Sequence, residues 1–140
     1  MERVRNFVIC LNAIRQQDSQ GGNSVINING LLSNIVVEKI PATFSFSVVF
    51  SILGMDITND NKLRIIIKND KKQTVVDTET LTIPKSEVGN SDIPKKYLGM
   101  DFTLDLRNVL FNNVGVHNIE IFLNSERIFK EDIFVSERMV

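Results

Sequence analysis

From Thr43 to Leu53 the side chains alternate: Phe44, Phe46, Val48, Phe50 and Ile52 fall on one face, Ser45, Ser47, Val49 and Ser51 on the other. Successive side chains of a β-strand point to opposite faces, so this spacing predicts a strand with one strongly apolar side. Its three phenylalanines are a large apolar payload for a small domain and set this strand at the centre of the core. The same test applied along the chain finds further strands. Arg3 to Ile14 is apolar on both faces near its middle, which predicts a strand covered on both sides. Arg15 to Asn23 is polar with a Gly-Gly pair and reads as a loop. Ser24 to Leu32 returns beside the first strand, with Gly30 marking a bulge or the strand's end. Asn34 to Ile40 is a short extended piece closed by Pro41.

Beyond the phenylalanine strand, Gly54 to Asn61 is turn-rich, and Lys62 to Lys68 alternates Leu63, Ile65 and Ile67 with charged positions. Asn69 to Lys72 is hairpin chemistry. Thr74 to Ile83 is β-branched with weak polarity separation, the pattern of an edge strand. Pro84 to Lys96 forms the longest structureless stretch. Asp101 to Arg107 then alternates Phe102, Leu104 and Leu106 inward, and Asn108 to Val114 reads as a corner or a turn of helix. Gly115 to Leu123 and Glu126 to Val135 close the chain as two strands joined by the two-residue turn Asn124-Ser125. No stretch carries a helical period with caps. About eight short strands with turns between them predict an all-β fold, a single antiparallel β-sandwich domain spanning residues 1–140.

Composition sharpens this picture by exclusion. A net charge of −1, with basic residues scattered and paired only at Lys71-Lys72 and Lys95-Lys96, argues against a nucleic-acid binder. No segment approaches the roughly 18 consecutive apolar residues of a membrane helix. The basic start Met1 to Arg5 leads into an apolar run that closes at Arg15 without a cleavage pattern, so a cytoplasmic protein is expected. The single cysteine, Cys10, lies in an apolar run and reads as a buried hydrophobe rather than a reactive thiol.

Candidate chemistry is sparse. His117 is the only histidine, and neither a catalytic triad nor a zinc spacing can be assembled around it. The pattern Asn113-Val114-Gly115-Val116-His117 resembles the Asp-x-Gly-x-Tyr corner of immunoglobulin-type sandwiches, where the tyrosine hydroxyl bonds back to upstream backbone. A histidine nitrogen can play that part. Asp56, Asn59, Asp60 and Asn61 gather in one loop, as calcium ligands do, but their spacing fits no EF-hand and turn chemistry explains them. Gly21-Gly22 is followed by neither a lysine nor a helix start and is no phosphate loop. No cofactor, metal site or catalytic residue is predicted.

The whole chain also resembles an uncharacterised bacterial family of small immunoglobulin-like β-sandwich domains. The resemblance rests on Phe7 to Cys10, the apolar-Gly-apolar step Ile26 to Leu32, the Phe44–Ile52 strand, the Leu63–Ile67 hairpin, and Gly115 to Ile121, which is similar to a Gly-x-Tyr-x-Phe strand. His117 departs from the usual tyrosine, and the loop after Leu53 is longer. The resemblance implies a fold and no activity.

These readings converge on a non-enzymatic module that binds another protein or a second copy of itself. The alternatives are a small-molecule-sequestering protein and a structural subunit of a phage or mobile-element assembly. The surfaces expected to carry binding are the long loop with Ser86, Glu87, Asn90 and Asp92, the turn-rich loop with Asp56, Asn59 and Asp60, and the threonine-rich edge with Thr78 and Thr80. An exposed edge can accept a further strand.

Overall fold

A computed structural model of the chain describes residues 1–17, 24–86 and 92–138. Among these residues there are ten strands: β1 (Arg3–Gln17), β2 (Ser24–Leu32), β3 (Ile35–Val37), β4 (Ala42–Leu53), β5 (Asn61–Lys68), β6 (Thr74–Asp77), β7 (Leu81–Ile83), β8 (Gly99–Phe111), β9 (Gly115–Leu123) and β10 (Glu126–Glu137). They form two sheets. Sheet I has the order β2-β1-β4-β8, and sheet II the order β3-β10-β9-β5-β6, with β7 also paired to β5.

The phenylalanine strand β4 lies inside sheet I, paired antiparallel with β1 on one side and β8 on the other. Its inward face behaves as the alternation requires: Val48, Phe50 and Ile52 are fully buried, and Phe50 stacks on Phe102 of β8 with ring centroids 5.2 Å apart. Sheet II answers with Leu63, Ile65 and Ile67 of β5, Ile119 and Ile121 of β9, and Ile133 and Val135 of β10. Two apolar faces closing on one another is how sheets bury their hydrophobic sides. The last hairpin turns at Asn124-Ser125, both with positive φ (52° and 71°), the backbone of a two-residue turn matched to strand twist.

Three expectations change. The strands number ten, not about eight, with the threonine-rich stretch counting as two. Glu79, at φ 57°, splits that stretch into β6 and β7. Residues 108–111 are not a helical turn. They continue β8, where Asn108 at φ 53° bulges and donates its amide N–H to the Ser45 hydroxyl at 2.8 Å. The sandwich is also not purely antiparallel, since β3 runs parallel to β10 from Ile35↔Val135 to Val37↔Glu137. Pro41 follows a cis peptide bond just after β3.

Candidate interaction surfaces

Two of the three expected surfaces meet at one end of the sandwich. The Asp56 carboxylate accepts the Thr58 amide at 3.0 Å, the Thr58 hydroxyl at 2.5 Å and the Asn59 side-chain amide at 2.6 Å. Those bonds, the hydroxyl's first, hold its pKa below the usual carboxylate value. Asn61, 4% exposed, donates to the carbonyls of Asp56 and Asn59 and accepts from Asn124. Asp60 accepts the Lys85 amide at 2.8 Å, and the Ser86 amide donates to the Ile57 carbonyl at 2.8 Å. The Asp56 carboxylate is therefore spent on holding its own turn and that of Asp60 on tying loop to loop, which is turn chemistry. Among the described residues no group of three or more histidine, cysteine, aspartate or glutamate side chains could hold a metal. Asp92 is exposed. Glu87 and Asn90 lie outside the described residues.

The threonine-rich edge is less open than its sequence suggests. Thr78 inserts its hydroxyl into the ladder, accepting the Ile65 amide at 2.9 Å and donating to the Glu79 carbonyl. Arg64 grips Asp77 with two parallel bonds, Nε–Oδ1 at 2.9 Å and Nη2–Oδ2 at 2.5 Å. That pair, with the Glu79 amide, lowers the Asp77 pKa to about 2. Thr80 is exposed and borders a cleft of about 300 Å³ with Lys62, Arg64, Ile66, Phe122 and Ser125. Both cations in that cleft are engaged, Arg64 with Asp77 and Lys62 with the Thr82 hydroxyl at 2.9 Å. Nearby on the same outer face Glu120 is 7% exposed. Burial pulls its pKa up, and the bonds from Arg127 at 3.0 Å and Lys68 at 3.5 Å outweigh that and leave it lowered.

A third surface stands out that the candidate residues did not include. The β1–β4 ladder runs to Cys10↔Ser47; past it β1 leaves β4, and Arg15 donates to the Asp101 carbonyl of β8. The departing strand and its partner β2 form an arm, β1–β2, paired from Ile9↔Leu32 to Gln17↔Ser24. Between arm and sheet lies a cleft of about 340 Å³, with Asn12 and Ile14 on one side and Ser45, Asp105 and Arg107 on the other. Leu11 is 50% exposed, Ile14 61%, Ile28 44% and Leu31 66%. Both faces of the arm therefore present large apolar side chains to solvent. Reading β1 as covered on both sides holds at Ile9 and Cys10, which are buried, and fails beyond them. The missing signal was available: Asn12, Asn27 and Asn29 interrupt the apolar positions, which is unusual for a strand covered on both faces.

His117, near the start of β9, is buried and bonded to neighbouring backbone. Its ring is 1% exposed, packs edge-on against Phe111 at 5.6 Å, and Nδ1 bonds the Gly115 carbonyl at 3.0 Å. A carbonyl only accepts, so the proton sits on Nδ1, while the buried Nε2 has no hydrogen-bond partner among the described residues. Cys10 is fully buried, and burial followed by the nearby Asp105 charge raises its thiol pKa. No helix among the described residues is long and apolar enough to cross a membrane.

Two sheets closed face to face, with loops stitched by asparagine and aspartate at one end, define a β-sandwich protein. The chain belongs to the family of unknown function DUF6941, whose model matches residues 7–136. No curated protein matches it. Among solved structures it is similar to part of the Pseudomonas fluorescens alkylpurine DNA glycosylase AlkC bound to DNA containing an abasic site analog. That match has 6% identity and a TM-score of 0.52, over 96% of this chain and 30% of that one. It is also similar to part of a β-glucosidase from Listeria innocua, at 10% identity and a TM-score of 0.49, over 77% of this chain and 15% of that one. The chain thus spans less than a third of either protein, and the first likeness speaks to the fold alone.

Proposed function

We propose that this chain is a non-enzymatic, immunoglobulin-like module that works by binding protein through its β1–β2 arm. The observation that carries the reading is the exposure of Leu11, Ile14, Ile28 and Leu31 on the two faces of that arm. Large apolar side chains left exposed on one element cost solubility, and such patches mark interaction sites. The immunoglobulin-like assignment is supported by pairing: β4 lies between β1 and β8, as strand B lies between A and E, and β10-β9-β5-β6 follows the G-F-C-C′ order. His117 bonding Gly115 stands where the corner tyrosine would. A cytoplasmic setting accords with a lone cysteine used as a buried apolar group.

The test is a photo-reactive amino acid placed at Leu31 in the producing cell, with Ile93 as an exposed apolar control. The expected result is a covalent adduct to a polypeptide at position 31 and none, or far less, at 93. Equal labelling at both, or none at 31, overturns the reading.

A further inference from the structure

Among the described residues the two sheets have four free edges, and three are guarded. The β3 edge is three residues long. Opposite it, β6 and β7 are short and are separated by the Glu79 break. The β8 edge is long, but it carries Asp101, Asp105 and Arg107 and bulges at Asn108. Short strands, charges and bulges are the devices by which sheet edges avoid pairing with other chains. The fourth edge is β2, Ser24-Val25-Ile26-Asn27-Ile28-Asn29-Gly30-Leu31-Leu32, with no charged residue and no proline. Among the described residues it pairs only with β1, which leaves its other side an open row of backbone donors and acceptors.

We propose that β2 is a homotypic edge, on which a second copy of this chain lays its own β2 antiparallel to extend sheet I across both copies. The proposal rests on the reading that the arm binds protein, and it names the partner. The sequence of the edge argues for a copy. Gly30 has φ +74°, which breaks the regular extended backbone there although the pairing with β1 runs on to Leu32. The usable segment is then Val25 to Asn29, with Asn27 in the middle. An antiparallel pairing about a two-fold axis at Asn27 sets Ile26 of each copy opposite Ile28 of the other. All four isoleucines share one face, and on each copy Ala13 lies on that face opposite Ile28. On the other face Asn27 meets Asn27, and Val25 meets Asn29. A two-fold contact requires a patch complementary to itself, and this pattern maps onto itself. Cross-strand apolar pairs and asparagine amides meeting across such a ladder are stabilising.

The full-length protein is measured by light scattering after gel filtration across a concentration series, beside Ile28→Lys and the single-cysteine additions Asn27→Cys and Val36→Cys. The expected mass of the unmodified chain rises to twice 15.9 kDa with concentration. A lysine at position 28 sets two like charges near the axis and raises the dimer dissociation constant at least about tenfold, with the circular dichroism spectrum unchanged and the melting temperature unchanged at concentrations where both proteins are monomeric. On mild oxidation Asn27→Cys forms a disulfide dimer, because cross-strand Cα separations suit the bond, while Val36→Cys on sheet II does not. A monomer at every concentration, with Asn27→Cys crosslinking no faster than Val36→Cys, overturns the proposal. So does a dimer that neither substitution on β2 affects. A monomer whose position 31 labels a different polypeptide sinks the homotypic edge and leaves the arm as a binding site. A monomer with no adduct at 31 sinks both.

Discussion

Gly99 opens β8 opposite Leu53 at the end of β4. Its own backbone needs no glycine, yet a Cβ there would lie 1.7 Å from the Ile52 carbonyl oxygen and 2.9 Å from the Leu53 Cα. Real contacts of this kind stay above 3.0 Å, so Gly99→Ala must open the β4–β8 ladder by roughly 1.3 Å. The obstacle is backbone on a central strand, which cannot rotate aside. Opening by that much carries the Gly54 amide out of reach of the Leu98 carbonyl, now 2.7 Å away, along with the first ladder bonds of β8. Two or three backbone bonds at about 1 kcal/mol each give a loss of about 2–3 kcal/mol. Against this, replacing glycine by alanine restricts the unfolded chain and returns about 0.4–1 kcal/mol. The net expectation is a destabilisation of about 1–2.6 kcal/mol in urea, or roughly 4–10 °C in melting temperature. The sign is decisive. Without the close approach the same substitution would be neutral or stabilising, and that outcome would refute the reasoning.

Three other expectations follow from the geometry. Asn61→Ala removes the buried side chain that donates to the carbonyls of Asp56 and Asn59 and should cost about 1–2 kcal/mol in chemical denaturation, with faster amide exchange in residues 56–60. The Asp77 pKa is lowered from 3.8 to about 2, so the stability it contributes is complete above pH 3.8 and is lost as pH falls toward 2. Arg64→Gln should flatten that part of the acid limb; an unchanged slope between the two proteins would show that the pair contributes nothing. The Cys10 thiol, buried and raised in pKa, should react with a disulfide reagent far more slowly in the native protein than in urea, whereas equal rates would contradict its burial.

Most of the fold was legible from period alone, because a sheet with one wet face writes its inside and outside into alternate letters. The Phe44–Ile52 and Leu63–Ile67 alternations placed both halves of the core correctly, and Asn124-Ser125 announced its turn. What escaped were features set by distant partners. Nothing local in Ile35-Val36-Val37 says that it pairs parallel with residues far along the chain. The Thr78–Thr80 break depends on a hydroxyl replacing a strand's own ladder bond, which no propensity reports. Gly99 reads as an ordinary strand start until the Ile52 carbonyl is placed against it. The same holds for function. The loop carboxylates at Asp56 and Asp60 looked available and are consumed by the loops themselves. The arm looked like core because apolar residues on both faces of a strand usually mean cover on both.

The parallel pairing of β3 with β10 also dictates an order of events during synthesis. Ile35 must wait for Val135 before its ladder can form, and β9 and β10 occupy the middle of sheet II although they come last in the chain. Until they leave the ribosome, the Phe46–Ile52 face of β4 has no complete sheet to close against. Contacts so far apart in sequence form slowly, and unpaired edges with exposed apolar faces invite association in the meantime. A ribosome-bound chain halted before Gly115 should therefore be held by chaperones, and one carried past Val135 released from them.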